Sequence, residues 1–282
     1  MHLVVCVKAV PSTTEVKMDP RTNTIVRDGR AAVLNPFDAT ALELALQIKE
    51  GVAASGEPCR VTVLSMGIPD TERLLRDCIA RGADAGLLLS DRAFAGADTL
   101  ATTYALGCGV RALGEPVDLI LCGKMAVDGD TAQIGPELAG ELDIPCVVDV
   151  QAVEGPLGAG DGADEGTGDG PICRHGRLRA VRATDAGTEF VEVDLPAVIT
   201  VGKDAARLRM PGIPGVLASS DAPVTVLGAD RVGADPARCG LTGSPTQVVR
   251  SFVPERADEA EPVRGDAREQ AAKLAELIGG MA

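Results

Sequence analysis

The sequence contains no tryptophan, one tyrosine (Tyr104), four phenylalanines and two histidines in 282 residues. Its core must be aliphatic and alanine-rich, and base stacking on an aromatic platform is disfavoured. Positive charge is also short: 27 Lys and Arg against 41 Asp and Glu leave a net charge of −14. That balance argues against nucleic-acid phosphate as the main partner, while a partner with a basic face stays open. The eight cysteines (Cys6, Cys59, Cys78, Cys108, Cys122, Cys146, Cys173 and Cys239) form no Cys-x-x-Cys pair. Metal-ligand spacing is therefore missing and no metal site is expected. Most of these cysteines lie in apolar segments, as buried free thiols do. No apolar run reaches the length of a membrane span, and the apolar part of Met1 to Lys8 is too short for a signal peptide. A cytoplasmic protein that is not an integral membrane protein is expected. No Ser-His-Asp set or Cys-His pair stands out, so no catalytic residue is assigned.

What is present is globular. Hydrophobic residues make up 45% and charged residues 24%, and the length suffices for one large domain or two small ones. Leu3 to Val7 reads as a strand covered on both faces, because its residues do not alternate. Asp19 to Gly29 is a polar, turn-rich excursion, with Thr24 to Val26 a short strand. Asn35-Pro36-Phe37-Asp38 opens a helix with the stripe Ala41, Leu42, Ala45, Leu46 and Ile48, ending at Gly51. Further strands are expected at Val61 to Leu64, Ala85 to Leu89, Asp118 to Cys122 and Cys146 to Val153. Helices are expected from Asp70 or Thr71 to Gly82, and from Asp98 to Leu113. Glu154 to Gly176 reads as a mobile loop. Arg177 to Ala183 and Thr188 to Val193 form a hairpin, and Ala197 to Val201 one more strand. From Lys203 to about Val224 an extended arm is expected, and Asp266 to Ile278 closes the chain as a helix.

This order predicts an α/β fold, a doubly wound, mostly parallel sheet with a β-hairpin region and an extended C-terminal arm and helix. Residues 1–202 are expected to form the α/β domain, and 203–282 an arm and helix that either dock a partner or pack on the chain's own sheet. Ligands of such sheets lie off the carboxyl ends of the strands. Four segments leave those ends: Cys6 to Ala9, Asn35 to Asp38, Ser65 to Gly67, and the loop Gly123 to Pro136.

That last loop is the organising stretch. It joins a strand to a helix, the arrangement that presents free N–H groups and a positive helix end to an anion. It is neither a Walker loop nor the Gly-x-Gly-x-x-Gly fingerprint. Asp130 or Thr131 is expected to cap the helix, and Gly129 to take a positive φ. Asp128 and Asp130 would repel phosphate, so they cap, pin the loop or take a ribose hydroxyl. The N–H groups of Thr131 to Gln133 and the Thr131 hydroxyl would hold phosphate. From the loop alone, an ordinary Asx-capped turn reads equally well.

Met1 to Glu50, Ser65 to Gly67, Arg81-Gly82-Ala83-Asp84, Asp98-Thr99-Leu100-Ala101, the loop with Asp128-Gly129-Asp130-Thr131-Ala132-Gln133, and Leu195 to Val201 together resemble the β-subunit of an electron-transfer flavoprotein. The resemblance implies an adenine-nucleotide α-hydrolase-like fold and a heterodimer with an α-subunit that carries FAD. It implies exchange of electrons with a dehydrogenase or a quinone reductase. It places nucleotide contacts on Cys6, Asn35, Pro36, Phe37, Asp38 and Met66. It places others on Gly123, Lys124, Met125, Ala126, Val127, Asp128, Gly129, Asp130, Thr131, Ala132, Gln133 and Ile134. One family type holds AMP in the β-subunit; the other holds a second FAD and bifurcates electrons from NADH. The pattern Gly129 with Thr131-Ala132-Gln133 resembles the second, so FAD is expected in the β site, with AMP the alternative. The resemblance makes Ile213 and Leu217 the apolar anchor for a partner. The residues that follow, Ala218 to Asp221, lack the family's lysines, which weakens steering toward an acidic dehydrogenase. A reading from a different class is a stand-alone adenine-nucleotide sensor or nucleotide-hydrolysing protein of the same fold.

Overall fold

The computed structural model describes residues 1–12, 32–154, 176–249 and 262–280. The short strand at Thr24 to Val26 and the body of the Glu154 to Gly176 loop lie outside the described residues. In chain order the elements are β1 (His2–Cys6), β2 (Ala9–Pro11), β3 (Ala32–Leu34), α1 (Pro36–Ala54), β4 (Arg60–Met66), α2 (Glu72–Ala80), β5 (Ala85–Leu89), α3 (Thr99–Ala112), β6 (Leu119–Gly123) and α4 (Ile134–Leu142). There follow β7 (Cys146–Glu154), β8 (Arg177–Thr184), β9 (Gly187–Asp194), β10 (Ala197–Val201), α5 (Ile213–Asp221), β11 (Val224–Leu227) and α6 (Ala267–Gly279).

Nine strands form one sheet in the order β11-β5-β4-β1-β6-β10-β7-β8-β9. It is parallel from β11 to β7 and antiparallel across β7, β8 and β9. The expected mostly parallel sheet and hairpin are both present. Period-two alternation assigns the faces. Leu3, Val5, Val61, Val63, Leu119 and Leu121 join Leu42, Ile48, Leu75 and Cys78 of α1 and α2. Val4, Cys6, Leu64, Ile120 and Cys122 join Tyr104, Ala105, Leu138 and Ala139 of α3 and α4. Both faces are covered, which is why β1, β5, β6 and β10 are buried at every residue and why their sequences, His2 and Thr200 apart, are apolar.

The chain divides into two compact units, Met1–Gln247 and Val248–Ala282. The stretch after Lys203 is not an extended arm. It carries α5 and then β11, which pairs with β5 as the edge strand of the sheet. The sequence hides both. Gly212 and Pro214 punctuate the start of α5, whose only buried residue is Ser219, so it has no buried apolar stripe. β11 is four residues long and only half-buried. Arg209 fixes this stretch to α1 through ion pairs with Glu43 (2.8 Å) and Glu50. The helix α1 also overruns its expected stop at Gly51, because Val52 of the next turn is buried in the core. That burial is worth ~1.5 kcal/mol or more, above the ~1 kcal/mol that glycine costs inside a helix. In the second unit α6 begins at Asp266 with a capping box to Glu269, and Leu274, Leu277 and Ile278 on it are exposed.

Candidate functional site

The strand order reverses at β1: β4 and β5 lie on one side of it, β6 and β10 on the other. At this switch point three of the four segments that leave the strand ends are bonded together. Asn35, fully buried ahead of α1, donates from Nδ2 to the Met125 carbonyl (2.9 Å) and accepts at Oδ1 from the Val127 N–H (3.2 Å). Its own N–H donates to the Lys8 carbonyl (3.0 Å). Asp38, in the first turn of α1, accepts from the Lys8 N–H at Oδ2 (2.8 Å) and from the Gly123 N–H at Oδ1 (3.1 Å). The Ser65 to Gly67 segment lies beside them at the end of β4, next to β1 in the sheet. No hydrogen bond joins it to the loop among the described residues.

Two lysine–aspartate pairs brace the loop. Lys8 Nζ meets Asp128 Oδ1 at 2.7 Å, and the Asp128 side chain is almost fully buried. Lys124 Nζ meets Asp149 Oδ2 at 2.7 Å. Asp149 sits at an irregularity in β7 with φ +58°, and its N–H donates to Thr200 Oγ1 (3.0 Å). A left-handed, non-glycine residue inside a strand is a bulge held in place by its surroundings. Lys8 and Asp149 were absent from the site expected from sequence. The signal for Asp149 was a lone charge inside the apolar run Cys146 to Val153. Lys8 lay within the expected Cys6 to Ala9 segment, but its pairing carried no signal, since its partner lies 120 residues away.

Beyond Asp128 the loop faces outward: Gly129, Asp130, Thr131, Ala132 and Gln133 are all exposed. Its turn differs from the expected one. Asp130 and Ala132 take the left-handed conformation, at φ 49° and 53°, and Gly129 does not. The N-cap of α4 is Gln133, without a side-chain bond, so neither Asp130 nor Thr131 caps the helix. Asp128 is the aspartate that pins the loop. The Thr131, Ala132 and Gln133 amides have no acceptor among the described residues. They precede the orphan amides of the first turn of α4 and form with them an exposed row of donors at a helix N-terminus. Gly135 lets α4 approach β10, since a Cβ there would lie 2.2 Å from Thr200 Cγ2.

Burial raises the Asp38 carboxyl to about 7, against the pull of its bonds from Asn35, Lys8 and Gly123. The folded value lies above the unfolded 3.8. The stabilisation from the neutral form is therefore complete below pH 3.8 and lost as pH rises through about 7. At about 1.4 kcal/mol per pH unit the loss is on the order of 4 kcal/mol. Urea unfolding from about pH 4 to 8 should show wild type losing stability relative to Asp38→Asn up to neutrality, with a constant gap beyond. A constant gap throughout would mean that Asp38 does not titrate there. Beneath the loop, Cys122 faces Cys6 in register; its hydrogen bond with Cys6, together with burial, pushes its thiol well up. A thiol held in its protonated form is a poor nucleophile. Among the described residues no group of His, Cys, Asp and Glu side chains could hold a metal ion.

Ile213 and Leu217, on α5, are not part of this site. They are 80% and 69% exposed, with Met210 exposed beside them in sequence.

The electron transfer flavoprotein domain family matches residues 22–232. The caffeyl-CoA reductase–Etf complex subunit CarD of Acetobacterium woodii is 39% identical over 94% of this chain and 92% of its own. The electron transfer flavoprotein subunit beta of Thermoanaerobacterium thermosaccharolyticum is 39% identical over 99% and 98%. Protein FixA of Bradyrhizobium diazoefficiens is 36% identical over 99% and 91%. The chain belongs to the electron transfer flavoprotein family, in its β-subunit branch, and no helix among the described residues is long and apolar enough to cross a membrane.

Proposed function

We propose that this chain is one half of a heterodimeric electron-transfer flavoprotein and holds FAD at the loop between β6 and α4. Its α-subunit partner would carry a second FAD. The observation that carries this reading is the exposed donor row at Thr131 to Gln133, set by left-handed Asp130 and Ala132. Left-handed non-glycine residues cost about 1–3 kcal/mol each and cluster where a ligand is held. Gly129 supports the same reading. It is not left-handed, and a Cβ there would meet no atom within 4 Å. Nothing among the described residues requires glycine at that position, whereas a ligand lying against it would.

In this role the protein contributes binding and electrostatics, and the flavin supplies the electron chemistry. The amides of Thr131 to Gln133 and the α4 N-terminus would hold the diphosphate, and Asp128 and Asn35 would keep the loop in place. Lys124 and Lys8 would add positive charge beside the phosphates. The pattern Gly129 with Thr131-Ala132-Gln133, which resembles the bifurcating type, favours two FAD over the AMP type. The CarD name favours an acyl-CoA reductase or dehydrogenase as partner over a quinone reductase. Ile213 and Leu217 on α5 and the exposed apolar side chains of α6 would be docking surfaces.

Asp128→Ala frees Lys8 and the loop, and Thr131→Ala removes the exposed hydroxyl. Both are expected to leave the heterodimer assembled and to cut the nucleotide retained per β-chain, Asp128→Ala by about tenfold, the equivalent of ~1.4 kcal/mol. Quantifying nucleotide released on denaturation checks this. Wild-type content in both variants would remove the loop from the site.

A further inference from the structure

At a switch point the chain ends of two neighbouring strands diverge, and their amides are free to receive an anion. Here those amides are already engaged. The Lys8 N–H, beyond β1, and the Gly123 N–H, at the end of β6, donate to the two oxygens of Asp38 at 2.8 and 3.1 Å. Asp38 is 7% exposed, so its carboxylate is enclosed between the strand ends. Gly123 is shaped to it: a Cβ there would lie 2.3 Å from Asp38 Oδ1. Lys8 and Asn35 close the same corner, the Asn35 N–H donating to the Lys8 carbonyl.

We propose that Asp38 is an internal anion that occupies the amide cleft between β1 and β6, a positioning residue that keeps a nucleotide's phosphates out of the cleft and on the loop before α4. The placement of the phosphates rests on the nucleotide reading above; occupation of the cleft by the carboxylate does not. On this proposal Asp38 is not the direct nucleotide contact that the resemblance implied. It acts through the backbone of Lys8 and Gly123.

The test is chemical rescue in the full-length chain freed of nucleotide, at about pH 8, where the carboxyl is ionised. Asp38→Ala leaves two amides facing a void of carboxylate size and should lower Tm by roughly 5 °C or more. Formate should restore at least half of that loss, while formamide, equal in size but without a second acceptor oxygen, should not; wild type should respond to neither. A folded Asp38→Ala that ignores formate, or that gains as much from formamide, overturns the proposal. Should Asp38→Ala not fold, Asp38→Asn keeps the shape but has one acceptor oxygen. Amide exchange at Lys8 or at Gly123 should then accelerate at least tenfold, and unchanged protection at both overturns it. Nucleotide retained by refolded Asp38→Ala should return with formate in parallel with Tm; return of Tm without it overturns the positioning role. If wild type takes up no nucleotide while formate still rescues Tm, the functional reading fails and the internal anion stands.

Discussion

Gly123→Ala is expected to destabilise the chain by about 3 kcal/mol or more and to abolish nucleotide retention. The new Cβ would lie 2.3 Å from Asp38 Oδ1 and 2.7 Å from both the Asp38 nitrogen and the Phe37 carbonyl carbon. A side chain could turn away; the backbone of the first turn of α1 cannot. Ala41 and Leu42, one turn on, are fully buried, so α1 has no room to retreat without opening the core. The strand end must move instead, and it carries Gly123 N–H away from Asp38 and the loop away from Asn35. Adding Asp38→Ala removes the contact with Oδ1 but neither backbone contact, so the double variant should recover little of the loss. Urea or thermal unfolding of the three variants decides the matter. A wild-type midpoint for Gly123→Ala would mean that the close approach of α1 and β6 is not as described.

Gly215→Ala is expected to act on a different surface. A Cβ at Gly215 would lie 2.2 Å from the Ala80 carbonyl oxygen at the end of α2. The two helices therefore touch backbone to backbone, and α5 would have to lift. Its other tie is Arg76, whose Nη1 donates to the Ser219 and Ser220 carbonyls (2.8 and 2.9 Å) and so satisfies the end of the helix. The expected outcome is a stability loss of about 1–3 kcal/mol from overpacking and weaker binding of the redox partner, with nucleotide content unchanged. Ile213→Ala with Leu217→Ala provides the comparison: both side chains are exposed, so stability should hold within ~0.5 kcal/mol while partner binding falls. Loss of nucleotide without loss of partner binding in Gly215→Ala would place α5 in the nucleotide site instead.

The contrast between these two glycines mirrors what the sequence could reveal. The alternation of buried strands and amphipathic helices from Leu3 to Val153 is local, and the elements β1, α1, β4, α2, β5, α3, β6, α4 and β7 all occur near their expected places. The position of β10 between β6 and β7 is not local. It depends on pairing Val198 with Ile120 and Cys146, residues far apart in the chain. α5 escaped because Gly212 and Pro214 interrupt its start and its apolar side chains Ile213, Val216 and Leu217 are exposed, not packed on the sheet. The site divides in the same way. Asn35, Asp38 and the loop after β6 were legible as strand-end segments. The lysine partner of the pinning aspartate, the absence of a side-chain cap and the left-handed residues were not. Lys8 and Asp149 brace the loop through Asp128 and Lys124, and each reaches its partner only after the sheet has formed.

The most direct test of the account is cofactor stoichiometry. The chain is co-purified with its α-subunit, the complex is denatured, and FAD and AMP are counted per heterodimer. The account predicts two FAD and no AMP, with one FAD lost from Asp128→Ala. One FAD with one AMP, or a single FAD that Asp128→Ala leaves in place, would contradict it.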